Sequence, residues 1–379
     1  MAVMIVGAMV LPDDPTSAAA PPAPLLLVTS DGAPNRLGPY LGEILRAEGV
    51  MAFDTRDITA VSSAALRPYP VVLLAEMPLT PPAADSLKSY VAGGGHLIAM
   101  RPDPLLDDVC GWARASGQID GGYIGISADA KPGAGLPAAR LQLHGPADLH
   151  VESAQTIATL YQTGDGTSAG AAVTLAQAPG GGAAACWAYD LAKSVVLTRQ
   201  GNPANADVDV DSDGVFRTID LFQTRNGGAP WVDRNVVPIP QADVQMRLLA
   251  RLVEDFSAPK LPLPRLWYFP DGAMTMLLLT GDAHAEPISY YQREIDSVSA
   301  HGGKITLYLS IASAPDAAAA QSWREQGHSF GIHPYASHPD PYPPLNITNL
   351  SQGFDVYTKW FLSTFSSPPS RTVRIHQVA

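Results

Sequence analysis

Short apolar runs alternate with amphipathic stretches from residue 24 onward. "PLLLVTSD" (24–31), "YPVVLLAEM" (69–77) and "HLIAMRPD" (96–103) are apolar runs that end in polar residues, as strands buried on both faces do. "VMAFDTRD" (50–57) reads as a further strand. Between them, "RLGPYLGEILRAEG" (36–49) spaces Leu41, Ile44 and Leu45 on one helical face and stops at Gly49. "PPAADSLKSYVAGGG" (81–95) is a second helix, ending in glycines. Strands that alternate with helices predict an α/β fold with a flavodoxin-like, doubly wound parallel sheet and right-handed crossovers.

The pattern changes at residue 140. "ARLQLHGPADLHVE", "ATLYQT", "AAVTLAQAP" and "AAACWAYDLA" are short strands between Gly/Pro turns, which predicts an antiparallel β extension that completes the first domain. Residues 201–263 read as a loop-rich connector with one helix at 241–256, followed by an extended Pro-rich segment, "APKLPLPRLWYFP". The alternation then restarts. "MTMLLLTGD", "GKITLYLS", "HSFGIHPY" and "RTVRIHQVA" are predicted strands, with helices between them at "PISYYQREIDSVSAHG", "APDAAAAQSWREQG" and "NLSQGFDVYTKWFLSTFS". The fourth strand has no covering helix. This predicts an incomplete (β/α) barrel-like domain: either the polypeptide ends inside a domain, or another chain, as in a homo-oligomer, covers the open sheet edge.

The expected domains are a leader or signal remnant at 1–23, an α/β domain at 24–200, the connector at 201–263 and the partial barrel at 264–379. "MAVMIVGAMVL" and the Ala-rich "PDDPTSAAAPPAP" look like the tail of a signal peptide without its basic start. A secreted or periplasmic location and a cytoplasmic one both remain open on that pattern.

Composition narrows the function classes. Of 379 residues 46% are apolar and only 16% charged, so cores can form, while 35 Pro and 33 Gly call for many ordered turns. A formal net charge of −12 argues against a nucleic-acid partner, which requires a basic surface. No apolar run is long enough to span a membrane. Cys110 and Cys186 are the only two cysteines. They form one disulfide or none, and cannot build a Cys-rich metal site.

Histidine placement carries the chemistry. Six of the nine lie after residue 280. His284, His333, His338 and His376 fall at the carboxyl ends of predicted strands or just beyond, where α/β folds build their sites. Asp282 ends the first of these strands and Arg374 lies on the last. A carboxylate with several imidazoles suits zinc or a similar divalent ion.

Asp282 after "LLLTG", then "GHSFGIHPYASH" (327–338) and "TVRIH" (372–376), resemble the first three motifs of the polysaccharide deacetylase (NodB-homology) family. The resemblance covers about residues 265–379. It implies Asp282 as catalytic base, His333 as a metal ligand and Arg374 as the residue that orients the base. The family's metal-binding Asp aligns with Ala283, where His284 can substitute. His338 follows His333 by five residues rather than the usual four. The first domain resembles class I glutamine amidotransferase-like folds, but no Cys occupies a nucleophile turn, so it is read as non-catalytic.

Two other motifs compete. "GHSFG" spells Gly-x-Ser-x-Gly and would make Ser329 the nucleophile of a serine-type esterase or polyester hydrolase. Its context is inverted, with a helix before it and a strand through it, so Ser329 is expected as a small filler in a buried strand. "DVDSDGVFRTID" (209–220) has near EF-hand spacing and offers Asp209, Asp211, Asp213 and Asp220 to calcium; a solvated acidic loop is the plainer reading. His144 and His150 are expected at the surface, and His96, His301 and His328 away from the site. The expected function is metal-dependent removal of acyl groups from a carbohydrate or small ester. A non-catalytic carbohydrate-binding or assembly protein is the remaining alternative.

Overall fold

The computed structural model describes residues 22–212, 218–223, 231–282, 286–312, 314–334 and 347–375. The chain is α/β. It divides into two compact units: residues up to Val195 with Pro240–Leu266, and Val196–Ile239 with residues from Trp267 onward.

The first unit runs β1 (Leu25–Thr29), α1 (Tyr40–Ala47), β2 (Phe53–Asp57), α2 (Ser63–Leu66), β3 (Val71–Leu74), α3 (Pro81–Ala92), β4 (His96–Met100) and α4 (Asp107–Cys110). It continues with β5 (Trp112–Ile126), β6 (Leu141–Glu152), β7 (Gln155–Tyr161), β8 (Ser168–Gln177) and β9 (Ala183–Trp187). Helix α5 (Leu191–Gln200) begins in this unit, and α6 (Gln241–Ser257) returns to it. The nine strands form one sheet in the order β2-β1-β3-β4-β9-β8-β7-β5-β6. From β2 to β9 the neighbours are parallel. From β9 to β6 they are antiparallel. Counted alone, the parallel strands have the order 2-1-3-4-5, the flavodoxin-like order, in which the progression reverses between β1 and β3.

Burial explains that half. Every residue of β1, β3 and β9 is buried, whereas the edge strand β2 is only half-buried and carries Asp54, Arg56 and Asp57. Helix α6 covers the sheet with Leu248, Leu249, Leu252 and Val253, all fully buried. Its buried Gln245 accepts from Tyr189 Oη and donates to the Gln142 carbonyl, each at 3.0 Å. The sequence reading put this helix in a connector; its apolar face belongs instead to the first unit. Beyond it Arg265 pairs with Glu48 and Glu254 at 3.0 Å each, fastening the extended segment to the same unit.

Cys110 and Cys186 form a disulfide, so neither is a nucleophile. His144 and His150, expected at the surface, are buried at 6% and 5% exposure. His150 stacks on Trp112 with ring centroids 3.9 Å apart. Strand β5 was not anticipated. Its sequence, "WARASGQIDGGYIGI", lacks alternation, and its register shifts between Arg114 and Gln118 and again between Asp120 and Gly122.

The second unit contains β10 (Leu279–Asp282), α7 (Ile288–Ala300), β11 (Ile305–Leu309), α8 (Ala317–Glu325), β12 (Ser329–Ile332) and α9 (Ile347–Phe365). Its three strands are parallel in the order β10-β11-β12. Ile295, Leu307, Leu309, Trp323, Phe330 and Phe361 form its core. The nine-residue strand expected at 274–282 is four residues long. Its partner β11 has only five residues, and Leu277 and Leu278 before it are exposed at 82% and 74%. The expected last strand forms no ladder over 371–375. That segment lies beside β12 through two backbone bonds, Ser370 N–H to Phe330 O at 2.7 Å and Arg374 N–H to Ile332 O at 3.4 Å.

Among the described residues, no helix is long and apolar enough to cross a membrane.

Candidate functional site

The strand ends of the second unit bring Asp282, His333 and Arg374 together. Register aligns Asp282 with Tyr308 on β11, and Tyr308 with Gly331 on β12. His333 follows β12 and is anchored by its N–H to the Leu309 carbonyl at 2.9 Å. The C-terminal segment delivers Arg374. It is held by the bond from Tyr308 Oη to Thr372 Oγ1 at 2.8 Å.

The imidazole of His333 is 1% exposed. Its Nδ1 lies 2.8 Å from the Arg374 carbonyl oxygen. A carbonyl can only accept, so Nδ1 carries a proton and Nε2 faces the other way. Nε2 is 3.9 Å from Asp282 Oδ2. That is too long for a hydrogen bond. Asp282 Oδ1 is 3.4 Å from Arg374 Nη1. The orientation of His333 by a carbonyl on its far nitrogen is what a metal-ligating or proton-accepting histidine needs.

Glu294 adds a group that the sequence reading missed. Burial first, then the charges of Glu286 and Asp282, push its carboxyl above the usual range. Its only sequence signal is its place beside Ile295, fully buried on α7. His284, His338 and His376 lie outside the described residues, as does Ala283.

Ser329 stands apart. It is the first residue of β12 and exposed, not the buried filler expected. His333 is four residues further along, roughly 13 Å at strand spacing, so no triad joins Ser329 to Asp282 and His333. Both glycines of "GHSFG" have structural reasons. Gly327 turns the chain after α8 at φ +92°. At Gly331 an added Cβ would sit 2.6 Å from Cδ1 of the Tyr308 ring. His328 is fixed by Ser299 Oγ at 3.0 Å and by the Ile305 N–H at 3.2 Å, a structural role away from the site.

Of the four calcium candidates, Asp213 lies outside the described residues. Asp209, Asp211 and Asp220 each offer a carboxylate oxygen within 4.8 Å of the others. Asp220 is buried and accepts from the Val210 N–H at 3.0 Å.

No family model matches the chain, and no curated protein matches it. Parts of the chain align with solved structures. A cytoplasmic protein from Salmonella typhimurium is 17% identical, with 40% of this chain and 75% of that one covered, at a TM-score of 0.33. A ThuA-like protein from Bacteroides uniformis is 10% identical over 47% of this chain and 86% of its own, at 0.35. An exo-β-1,4-mannosidase from Opitutaceae bacterium strain TAV5 is 11% identical over 47% of this chain and 33% of its own, at 0.35. At these scores the likenesses carry no argument about activity.

Proposed function

We propose that the second unit is a metal-assisted hydrolase that removes acyl groups, acetyl above all, from a carbohydrate or small ester. The observation that carries this reading is His333, its Nδ1 proton donated to the Arg374 carbonyl and its Nε2 turned toward Asp282. His333 would hold a divalent ion, zinc by the chemistry of its donors, with His284, His338 and His376 as further candidate ligands. Such an ion lowers the pKa of water and polarises a carbonyl. Asp282 accepts the proton of the attacking water. Arg374, whose Nη1 lies 3.4 Å from Oδ1, orients the Asp282 carboxylate. Backbone N–H groups beyond the strand ends stabilise the developing oxyanion.

Calcium at Asp209, Asp211 and Asp220 is the second part of the reading, supported by the closeness of three carboxylates. A secreted or periplasmic location is part of the same proposal, supported by the Cys110–Cys186 bridge, since disulfides persist in oxidising compartments.

An acetyl-ester assay on the full chain tests the hydrolase. Asp282→Asn and His333→Ala are each expected to slow turnover by about 10²–10⁴, and a chelator should abolish it. Turnover that survives the chelator and both substitutions but yields to a serine-directed phosphonate would assign the chemistry to Ser329. No turnover on any acyl substrate would leave a carbohydrate-binding or assembly role. Elemental analysis for zinc and calcium checks both ions at once.

A further inference from the structure

The first unit carries a cleft that its sequence motifs do not announce. It has a volume of about 730 Å³ and opens at the carboxyl ends of the parallel strands. Pro34 to Leu37 follow β1, Glu76 to Pro78 follow β3, and Arg101 to Pro104 follow β4. The cleft therefore straddles the point between β1 and β3 where strand order reverses, which is where open α/β sheets leave a crevice for ligands.

Its floor is a continuous ion-pair network. Arg101 reaches Glu76 at 2.8 Å and Asp148 at 2.7 Å. Arg114 reaches the other oxygen of Asp148 at 2.6 Å and Asp107 at 2.7 Å. Asn35 Nδ2 donates to both Glu76 and Asp190 at 2.6 Å. Desolvating this many charges costs stability that an apolar floor would not. Arg101 adds to the cost. Its φ of 35° lies in the left-handed region, unusual for a residue with a Cβ. That backbone directs its guanidinium across the cleft while its N–H bonds the Trp187 carbonyl at 3.0 Å. Four prolines, Pro34, Pro78, Pro102 and Pro104, stiffen the rim, which lowers the entropy lost on binding.

We propose that this cleft binds a neutral polyhydroxylated ligand, a carbohydrate ring, through Glu76, Arg101 and Asp148. The chemistry follows from the wall. Arg101 and Arg114 are already matched by carboxylates, so an anion held by either of them would have to displace an ion pair; Arg36 and Lys193 add two more donors to the lining. The lining sets guanidinium and ammonium donors (Arg36, Arg101, Lys193) beside carboxylate acceptors (Glu76, Asp103, Asp148). A hydroxyl both donates and accepts, so vicinal hydroxyls match that arrangement. The proline rings offer flat C–H faces to the apolar side of a sugar. This inference does not depend on the chemistry at Asp282, which lies in the other unit.

Saturation-transfer NMR on the full chain tests it, with glucose, mannose and N-acetylglucosamine oligomers as probes. Citrate, inorganic phosphate and spermidine serve as charged controls. One neutral sugar series should bind, and binding should persist at about 0.5 M salt, since no net charge is being matched. Arg101→Lys keeps the charge that Glu76 and Asp148 need but loses the fork, and should weaken binding about tenfold. Asp282→Asn should bind as the unsubstituted protein does. Binding of the charged controls alone, absence of any response, or full affinity in Arg101→Lys would each overturn the proposal. Loss of binding in Asp282→Asn with retention in Arg101→Lys would put the sugar in the second unit, and would overturn it as well.

Discussion

Both units gather charged groups at the carboxyl ends of parallel strands, and they space them differently. In the first, guanidiniums and carboxylates touch at 2.6–2.8 Å and neutralise one another. In the second, Asp282 stands 3.4 Å from Arg374 and 3.9 Å from His333. A carboxylate locked in two close ion pairs is a poor base, because its lone pairs are committed. It is a good fixed acceptor. The contacts of Asp282 with Arg374 and His333 are longer than any of these ion pairs. The pairing is close in one cleft and looser at the other group.

The contrast can be broken from either side. The largest effect is expected from the disulfide. Cys110 and Cys186 are 76 residues apart, and losing a bridge over a loop of that length costs about 4 kcal/mol. Replacing both with Ala should lower the thermal transition of the first unit and leave that of the second in place, read by calorimetry. A parallel drop in both would show that the units unfold as one.

The next effect is in pH. Burial holds His144 down at about 4 in the folded chain, against 6.5 unfolded. Its contribution is complete above pH 6.5 and is lost as pH falls toward about 4, at most about 3 kcal/mol. Asp190 opposes it. Burial raises its carboxyl from 3.8 to about 6, so its share of stability is present at low pH and lost as pH rises through about 4 to 6. His144→Gln isolates the first term. Melting curves from neutral to acid pH should flatten for the first unit in that variant, and an unchanged acid slope would mean that His144 is not the source.

The smallest effect concerns the second unit. Gly331→Ala would drive a Cβ into the Tyr308 ring, at a cost of about 2 kcal/mol. The ring carries the hydroxyl that holds Thr372 and, through that segment, Arg374. Both the melting temperature of the second unit and acyl hydrolysis should fall. A variant that melts normally would show that the ring can step aside, and would loosen the link between Tyr308 and Arg374.

The parallel strands were legible because burial on both faces leaves unbroken apolar runs such as "LLLVT" and "VVLL". Strand β5 was not, because Gly117, Gly121 and Gly122 interrupt its pattern at the bulges. The length of β10 was over-read because a strand extends only as far as its partner, and no sequence window contains that partner. Asp282, His333 and Arg374, which the structure brings together, could be picked out as candidates because each sits at or near the end of a predicted strand. The cleft of the first unit could not. Glu76, Arg101, Arg114 and Asp148 come from four separate segments, each an ordinary charged residue until the sheet order juxtaposes them. The one local sign was a charge directly behind an apolar run, in "LLAE" and "IAMR".

The Cys110–Cys186 bridge has a topological consequence as well. The ring it closes contains β5, β6, β7 and β8 entire, and re-enters the sheet at β9 beside β4. The antiparallel half is thus a covalently stitched appendage between the fourth and fifth parallel strands. Its backbone could be severed at the Gly164–Gly166 turn and the two pieces would remain one molecule. Its loops could lengthen or shorten without altering the spacing of the strands it hangs from.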